Sequence, residues 1–161
     1  MLLSCVGRKG DEKLHFAFVL YRYFPHGGLQ RDFLRTLQEV LARGHRVTAF
    51  LAVQEAPLPE SPLLNVALLP VSGCSNHKRM LSFCHAVQEE FSRRSFDRTL
   101  MFSRIPGGDF YFAADNCLAA DCRKNHHPLV LRLLPRYRTF LDLEKRASGG
   151  RMVWVCLIFT I

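Results

Sequence analysis

The sequence lacks any apolar run long enough to cross a membrane. A membrane-spanning helix needs about 20 consecutive apolar residues, whereas the longest purely apolar run near the C-terminus extends only from Met152 to Phe159. The opening Met1–Cys5 resembles a lipoprotein cleavage box, but no charged leader or apolar stretch of signal-peptide length precedes Cys5. We therefore expect neither a transmembrane span nor a secretory signal.

Acidic residues are scarce relative to basic ones. The chain of 161 residues has 14 aspartates and glutamates against 22 lysines and arginines, an excess that favours anionic partners such as phosphates, nucleic acid or an acidic membrane surface. Hydrophobic residues make up 48% of the chain and charged residues 22%, which excludes a disordered or fibrous protein. A single globular domain is expected at this length.

No disulfide framework or metal site is predicted. Most of the six cysteines fall inside apolar segments and no secretory leader precedes them, so reduced, buried thiols in a cytosolic protein are expected. The group Cys117, Cys122, His126 and His127 does not have a standard zinc spacing.

Strand-length apolar runs alternate with helical patterns, and the chain has no internal repeat. A strand over Leu14–Leu20 precedes an amphipathic helix that ends at Gly44. The helix is indicated by apolar residues at steps of three and four, namely Leu29, Phe33, Leu37, Val40 and Leu41. Strands are then predicted over Arg46–Ala52 and Asn65–Val71.

A second helix is predicted from Asn76, as the cap, to about Arg93, followed by a strand over Thr99–Phe102. This alternation predicts an α/β fold, a Rossmann-like parallel sheet with helices on both faces. Beyond Pro106 the pattern turns irregular and then helical, over Asp109–Ala114, Cys117–Lys124 and Pro128–Lys145. After a glycine turn, Arg151–Ile161 could form one more strand, and it reads as a truncated end.

A pair of glycines joins the first strand to the first helix. Gly27 and Gly28 carry no side chains, so backbone N–H groups can approach a ligand closely, and the positive end of the helix favours a phosphate. An ordinary strand-to-helix turn would have the same residues. The segment is neither the three-glycine dinucleotide fingerprint nor a P-loop.

Residues 123–146 carry seven basic side chains against Asp142 and Glu144, interleaved with aliphatic and aromatic residues. Such a helix can lie on an anionic bilayer, or it can be a surface helix whose apolar face joins the core. A nucleic-acid partner is not expected, since no binding motif is present and the charge clusters on this one late segment.

Two blocks of sequence resemble the N-terminal domain of lipopolysaccharide-core glucosyltransferase I, of glycosyltransferase family 4. The first consists of Phe18–Pro25, Gly27–Phe33 and Ala42–Val47. The second consists of Ile105–Asp115 and Arg136–Phe140, in the same order and at similar spacing. The resemblance covers roughly residues 13–146.

The resemblance implies one Rossmann-like half of a GT-B enzyme with a cleft between two domains. Such enzymes transfer glucose, with retention, from a nucleotide diphosphate sugar such as UDP-glucose to a heptose of the lipopolysaccharide core, without a metal or other cofactor. The resemblance divides this chain into an extension (1–12), an acceptor-side domain (13–147) and a divergent apolar tail (148–161). The donor-binding domain would be absent, and we expect little or no activity from the chain alone.

The resemblance also implies site residues. Gly27, Gly28, Leu29 and Gln30 would bind donor phosphates. Asp109 and Asp115 would position the acceptor or act in catalysis, unless one caps a helix and the other is merely solvated. Five further residues would form an acceptor or membrane surface, namely Arg31, Arg132, Arg136, Tyr137 and Arg138.

The expected location is the cytoplasm, on the cytoplasmic face of the inner membrane, where the lipid acceptor lies. Two alternatives stay open. The chain could be a non-catalytic remnant of such an enzyme, or a basic domain that binds anionic membranes or nucleic acid.

Overall fold

The computed structural model describes residues 13–112 and 134–148. The five strands are β1 (His15–Tyr23), β2 (Arg46–Gln54), β3 (Leu64–Leu68), β4 (Arg98–Met101) and β5 (Phe110–Tyr111). The three helices are α1 (Gly28–Ala42), α2 (Asn76–Arg93) and α3 (Pro135–Ser148).

The five strands form one parallel sheet in the order β3-β2-β1-β4-β5. The central strand β1 pairs with β2 from His15 opposite Arg46 onward, and with β4 from Phe16 opposite Arg98. Helix α1 provides the crossover from β1 to β2 and helix α2 the crossover from β3 to β4, whereas loops join β2 to β3 and β4 to β5. The predicted Rossmann-like parallel sheet is confirmed.

Both faces of β1 are buried, which explains why its sequence is apolar without alternation. Phe18 and Leu20 belong to a buried cluster that includes Phe33 of α1. Ala17 and Val19 belong to a second cluster on the other face. That second cluster also contains four residues of the helices α2 and α3, namely Phe83, Cys84, Val87 and Leu143.

The predicted ends of α1 and α2 lie within a residue or two of the observed ones. At Gly44 the backbone φ is +78°, and its N–H donates to the Leu41 carbonyl at 2.9 Å. This left-handed glycine ends α1 because other residues adopt such a conformation only with strain. Helix α2 begins at Asn76 with Ser75 as its N-cap residue, one position before the predicted cap.

The structure corrects the prediction in two places. Phe110 and Tyr111 form β5, parallel to β4, where the sequence pattern predicted irregular and then helical chain. Helix α3 begins at Pro135 and Leu134 is not helical, so the predicted helix over Pro128–Lys145 is not continuous through that point. The possible helix over Cys117–Lys124, the extension and the apolar tail lie outside the described residues.

Candidate functional site

The loop between β1 and α1 lies at the carboxyl edge of the sheet, where open α/β folds bind ligands. In this sheet β2 and β3 lie on one side of β1 and β4 on the other, so the switch-point crevice is next to the end of β1. The loop forms the wall of an open concavity of about 460 Å³. Its lining residues are Tyr23, Phe24, Pro25, His26, Gly27, Gly28, Gln30, Arg31 and Leu34.

Helix α1 starts inside this concavity with no side-chain cap. Its N-cap residue is Gly27, which has no side chain, and its first turn carries no acidic residue. The N–H of Arg31 donates to the Gly27 carbonyl at 3.1 Å. The N–H groups of Gly28, Leu29 and Gln30 precede that bond in the first turn of α1, where backbone donors and the helix dipole favour an anion.

The two glycines have different roles. Gly27 has a φ of +154°, and a Cβ added there would overlap the Gln30 Oε1 and approach the Phe24 ring to 3.2 Å. A Cβ added at Gly28 would meet nothing within 4 Å. The turn therefore requires Gly27, whereas the space in front of Gly28 is open to a ligand.

The side chain of Gln30, a predicted phosphate contact, folds back onto the loop. Its Nε2 donates to the carbonyl of Arg22 at 3.3 Å. What Gln30 can offer a ligand in this conformation is its backbone N–H. Arg31, by contrast, is exposed and lines the same concavity.

An ion pair connects the end of β1, just before the glycine loop, to the segment after β2. The Arg22 guanidinium pairs with the Glu55 carboxylate, with Nε donating to Oε1 at 3.0 Å. The same guanidinium lies 5.8 Å from the centroid of the Phe24 ring, within cation–π range. The end of β1, the segment after β2 and the first loop residue are thereby tied together.

Asp109, a predicted catalytic carboxylate, lies toward the amino ends of the strands. Its Oδ2 accepts hydrogen bonds from the N–H and the hydroxyl of Thr99, at 2.8 and 2.9 Å. Thr99 pairs with Ala17, six residues before the end of β1 at Tyr23. At about 3.3 Å per residue that is about 20 Å along the strand. The structure therefore does not bring Asp109 to the glycine loop, and its catalytic role stays a prediction.

The other predicted site residues lie apart from the concavity or outside the described chain. Arg136 and Arg138 are exposed at the start of α3 and Tyr137 is half-buried. Leu134, just before them, is 47% exposed. Asp115 and Arg132 lie outside the described residues.

A second loop at the same sheet edge was not singled out as a site from the sequence. The switch-point loop, Phe102–Gly108, follows β4 and begins beside the end of β1. Its Ser103 Oγ accepts the Tyr21 N–H at 2.8 Å, and Gly107 has a φ of +94°. The signal available in the sequence was the Gly107–Gly108 pair, which follows the predicted strand Thr99–Phe102 after four residues, much as Gly27–Gly28 follows the predicted strand Leu14–Leu20 after six.

The described part of the chain has no metal-binding cluster, and of its two free cysteines Cys74 is exposed and Cys84 is buried. No group of three or more histidine, cysteine, aspartate or glutamate side chains there could hold a metal ion. Burial raises the pKa of the Cys84 thiol to about 11, which leaves it a poor nucleophile. Over residues 13–112 and 134–148, no helix is both long and apolar enough to span a bilayer.

Strand order, helix placement and the glycine loop define a Rossmann-like domain of the GT-B glycosyltransferase type. No family model matches the chain. It is 38% identical over 129 residues to lipopolysaccharide glucosyltransferase WaaG of Escherichia coli (strain K12). That alignment covers 80% of this chain and 34% of the relative, so the chain spans about a third of the relative's length.

A solved structure agrees with the sequence comparison. The crystal structure of WaaG, a glycosyltransferase involved in lipopolysaccharide biosynthesis, matches with a TM-score of 0.79 and 37% identity. The match covers 85% of this chain and 37% of that one. The resemblance to lipopolysaccharide-core glucosyltransferase I that the sequence predicted is confirmed.

Proposed function

We propose that this chain supplies one wall of the active-site cleft of a lipopolysaccharide glycosyltransferase. The reaction is transfer of a glucosyl residue, with retention, from a nucleotide diphosphate sugar, UDP-glucose, to a heptose of the lipopolysaccharide inner core. The observation that carries the proposal is the uncapped start of α1 in an open concavity, with free space in front of Gly28.

The chemistry of the leaving group explains why such a helix end is useful. When the bond between the sugar and the diphosphate breaks, negative charge grows on the diphosphate oxygens. Backbone N–H groups already aimed at that position stabilise the charge without reorganising. The amides of Gly28, Leu29 and Gln30 are such donors, and the exposed Arg31 on the same wall adds a positive charge.

The acceptor-positioning role stays a proposal for both Asp109 and Asp115, and the surroundings of Asp109 weigh against it there. Thr99 already satisfies the Asp109 Oδ2 at a point remote from the glycine loop. A carboxylate that orients a sugar hydroxyl or removes its proton must lie within hydrogen-bond reach of that hydroxyl.

The start of α3 is proposed to rest on the anionic cytoplasmic face of the inner membrane. Arg136 and Arg138 are exposed there beside Leu134, which is 47% exposed, a combination of positive charge and apolar surface that suits an anionic headgroup region. A lipid-linked acceptor would then reach the cleft from the membrane surface.

A chimera tests the proposed function. The aligned 129-residue segment of E. coli WaaG is replaced by the corresponding segment of this chain, and glucosyl transfer from UDP-glucose to heptose-terminated core acceptor is measured. We expect transfer by the chimera and none by the 161-residue chain alone, because one cleft wall leaves the diphosphate largely in water, where charge interactions are weak.

Matched variants of the chimera separate the site from the fold. Gly28→Leu should reduce transfer at least about a hundredfold, the usual scale for loss of a transition-state donor site. Gln38→Leu, on an exposed position of the same helix, should leave it unchanged. A correctly folded but inactive chimera would favour the alternative of a non-catalytic remnant.

A further inference from the structure

Two neighbours hold the switch-point loop, Phe102–Gly108, in place from the sheet and from α2. The N–H of Tyr21 in β1 donates to the Ser103 Oγ at 2.8 Å, where the backbone pairing of β1 with β4 has already ended. The Nε2 of Gln88 donates to the Pro106 carbonyl at 2.7 Å. The first bond fixes the start of the loop beside β1, and the second fixes its later part against α2.

The third neighbour is α3, through an ion pair. The Nε of Arg104 lies 3.4 Å from the Glu144 Oε1, and the two side chains are 24% and 11% exposed. The Arg146–Asp142 pair of the same helix, by contrast, joins side chains that are 62% and 63% exposed. Because water screens the Arg104–Glu144 pair less, it should hold its partners more firmly than a surface pair does.

The Arg104–Glu144 pair lies next to the hydrophobic core. Ile105 follows Arg104 and is 1% exposed, and Leu143 precedes Glu144 and is 2% exposed. Both belong to the same buried cluster. Apolar packing therefore brings α3 to the loop, and the Arg104–Glu144 ion pair adds a charged contact between the two.

We infer that Glu144 is a positioning residue that, through Arg104, holds the switch-point loop against α3. The inference rests on the proposed function in that this loop borders the crevice in which the sugar donor and acceptor would meet. The same contact joins the loop to the helix whose exposed start carries Arg136 and Arg138. The contact thus connects the cleft wall to the helix that carries the proposed membrane-facing surface.

Hydrogen exchange in the full 161-residue chain tests the inference without requiring activity. In Glu144→Gln we expect amides of the switch-point loop to exchange at least about fivefold faster than in the unmodified chain, since local opening becomes easier. The amide of Ile105, bonded to the Ser103 carbonyl at 2.7 Å, is the most direct probe. Amides of β2 should not change.

Two further variants make the result specific. Asp142→Asn removes an exposed carboxylate from the same helix and should leave exchange in the loop unchanged. The charge-reversed double variant Arg104→Glu with Glu144→Arg should return the loop to within about twofold of the unmodified rate. If the double variant does not fold, the single variant Arg104→Lys provides a second test. It should retain the slow exchange of the loop amides only in part, because a lysine cannot match the guanidinium geometry.

Unchanged loop exchange in Glu144→Gln would overturn the inference, and so would an increase spread equally over the whole sheet. In a WaaG chimera whose transplanted segment extends through α3, Glu144→Gln should lower kcat/KM for UDP-glucose about tenfold, with a larger effect on KM than Asp142→Asn has. An inactive chimera would count against the proposed function and leave the exchange result standing, so the two failures are distinguishable.

Discussion

Asp109 and Thr99 bond to each other reciprocally. The Asp109 carboxylate accepts from the Thr99 N–H and hydroxyl at 2.8 and 2.9 Å, and the Asp109 N–H donates to the Thr99 Oγ1 at 2.7 Å. These bonds lie where β5 begins beside β4, and β5 is only two residues long. Side-chain bonds thus supplement a pairing too short to be secure on backbone bonds alone.

Asp109→Ala should lower the free energy of unfolding by about 1–2 kcal/mol, because the Thr99 N–H loses its acceptor. Thr99→Val should cost a similar amount, and the double variant should cost less than the sum, since both single changes remove the same bonds. Urea denaturation measures these changes, with Asp142→Ala as the control. In the WaaG chimera a loss of kcat at unchanged stability would instead restore the catalytic role predicted for Asp109.

Replacement of the two loop glycines by alanine should separate backbone strain from ligand space. Gly27→Ala should destabilise the chain by about 1–2 kcal/mol, because φ at this position is +154° and the Cβ displaces the Gln30 side chain. Gly28→Ala should stay within about 0.5 kcal/mol of the unmodified chain, because its Cβ meets open space. Equal losses of stability would show that both glycines serve the turn.

Binding to anionic vesicles should depend on the start of α3. Replacing Arg136 and Arg138 together by glutamine should weaken binding about thirtyfold, at about 1 kcal/mol per arginine near such a surface. Sedimentation with vesicles that contain phosphatidylglycerol measures the change, and high salt should release the unmodified chain. The exposed Lys78 and Arg79 of α2, replaced in the same way, provide the control. Equal binding to neutral vesicles would contradict the electrostatic part of the proposal.

Mild acid should destabilise the chain through His15. Burial, and then the nearby Arg46, lower the pKa of His15 below its ordinary value of 6.5, with Arg94 acting in the same direction and Asp97 against it. The pKa of His15 is therefore lower in the folded chain than in the unfolded chain. At pH values between the two, the unfolded chain binds the proton more readily, so the free energy of unfolding falls as the pH is lowered below about 6.5. The free energy of unfolding stops falling on this account once the pH is below the pKa of His15 in the folded chain.

Urea denaturation at a series of pH values between 7.5 and 5 measures this effect. His15→Gln should flatten the dependence, whereas His85→Gln, at an exposed position of α2, should leave it as it is. A dependence that persists in His15→Gln would assign the acid sensitivity to other groups.

The long elements were predictable because each one repeats a physical pattern. The apolar positions of α1 recur at helical spacing up to the left-handed Gly44, and the apolar run that became β1 has strand length. The place of the Gly27–Gly28 loop between a strand and a helix was predictable for a related reason, since glycine readily adopts a backbone conformation such as the φ of +154° at Gly27.

The short elements were not predictable from the pattern. Two residues, Phe110 and Tyr111, cannot show a periodicity, and their strand exists because β4 offers a free edge to pair with. At α3 the pattern ran on from Pro128, and it gave no weight to Pro135 as a first helical residue, where a missing N–H costs nothing.

The amino-acid sequence by itself determined the class of fold, the succession of the long strands and helices, and the position of the glycine loop, because local spacing and backbone freedom act over a few residues. Only the tertiary structure decided which polar groups meet. It put Asp109 against Thr99, away from the glycine loop, and it brought Glu144 to Arg104. Such pairings depend on strand register and on the face a helix presents to the sheet, and packing of the two buried clusters sets both.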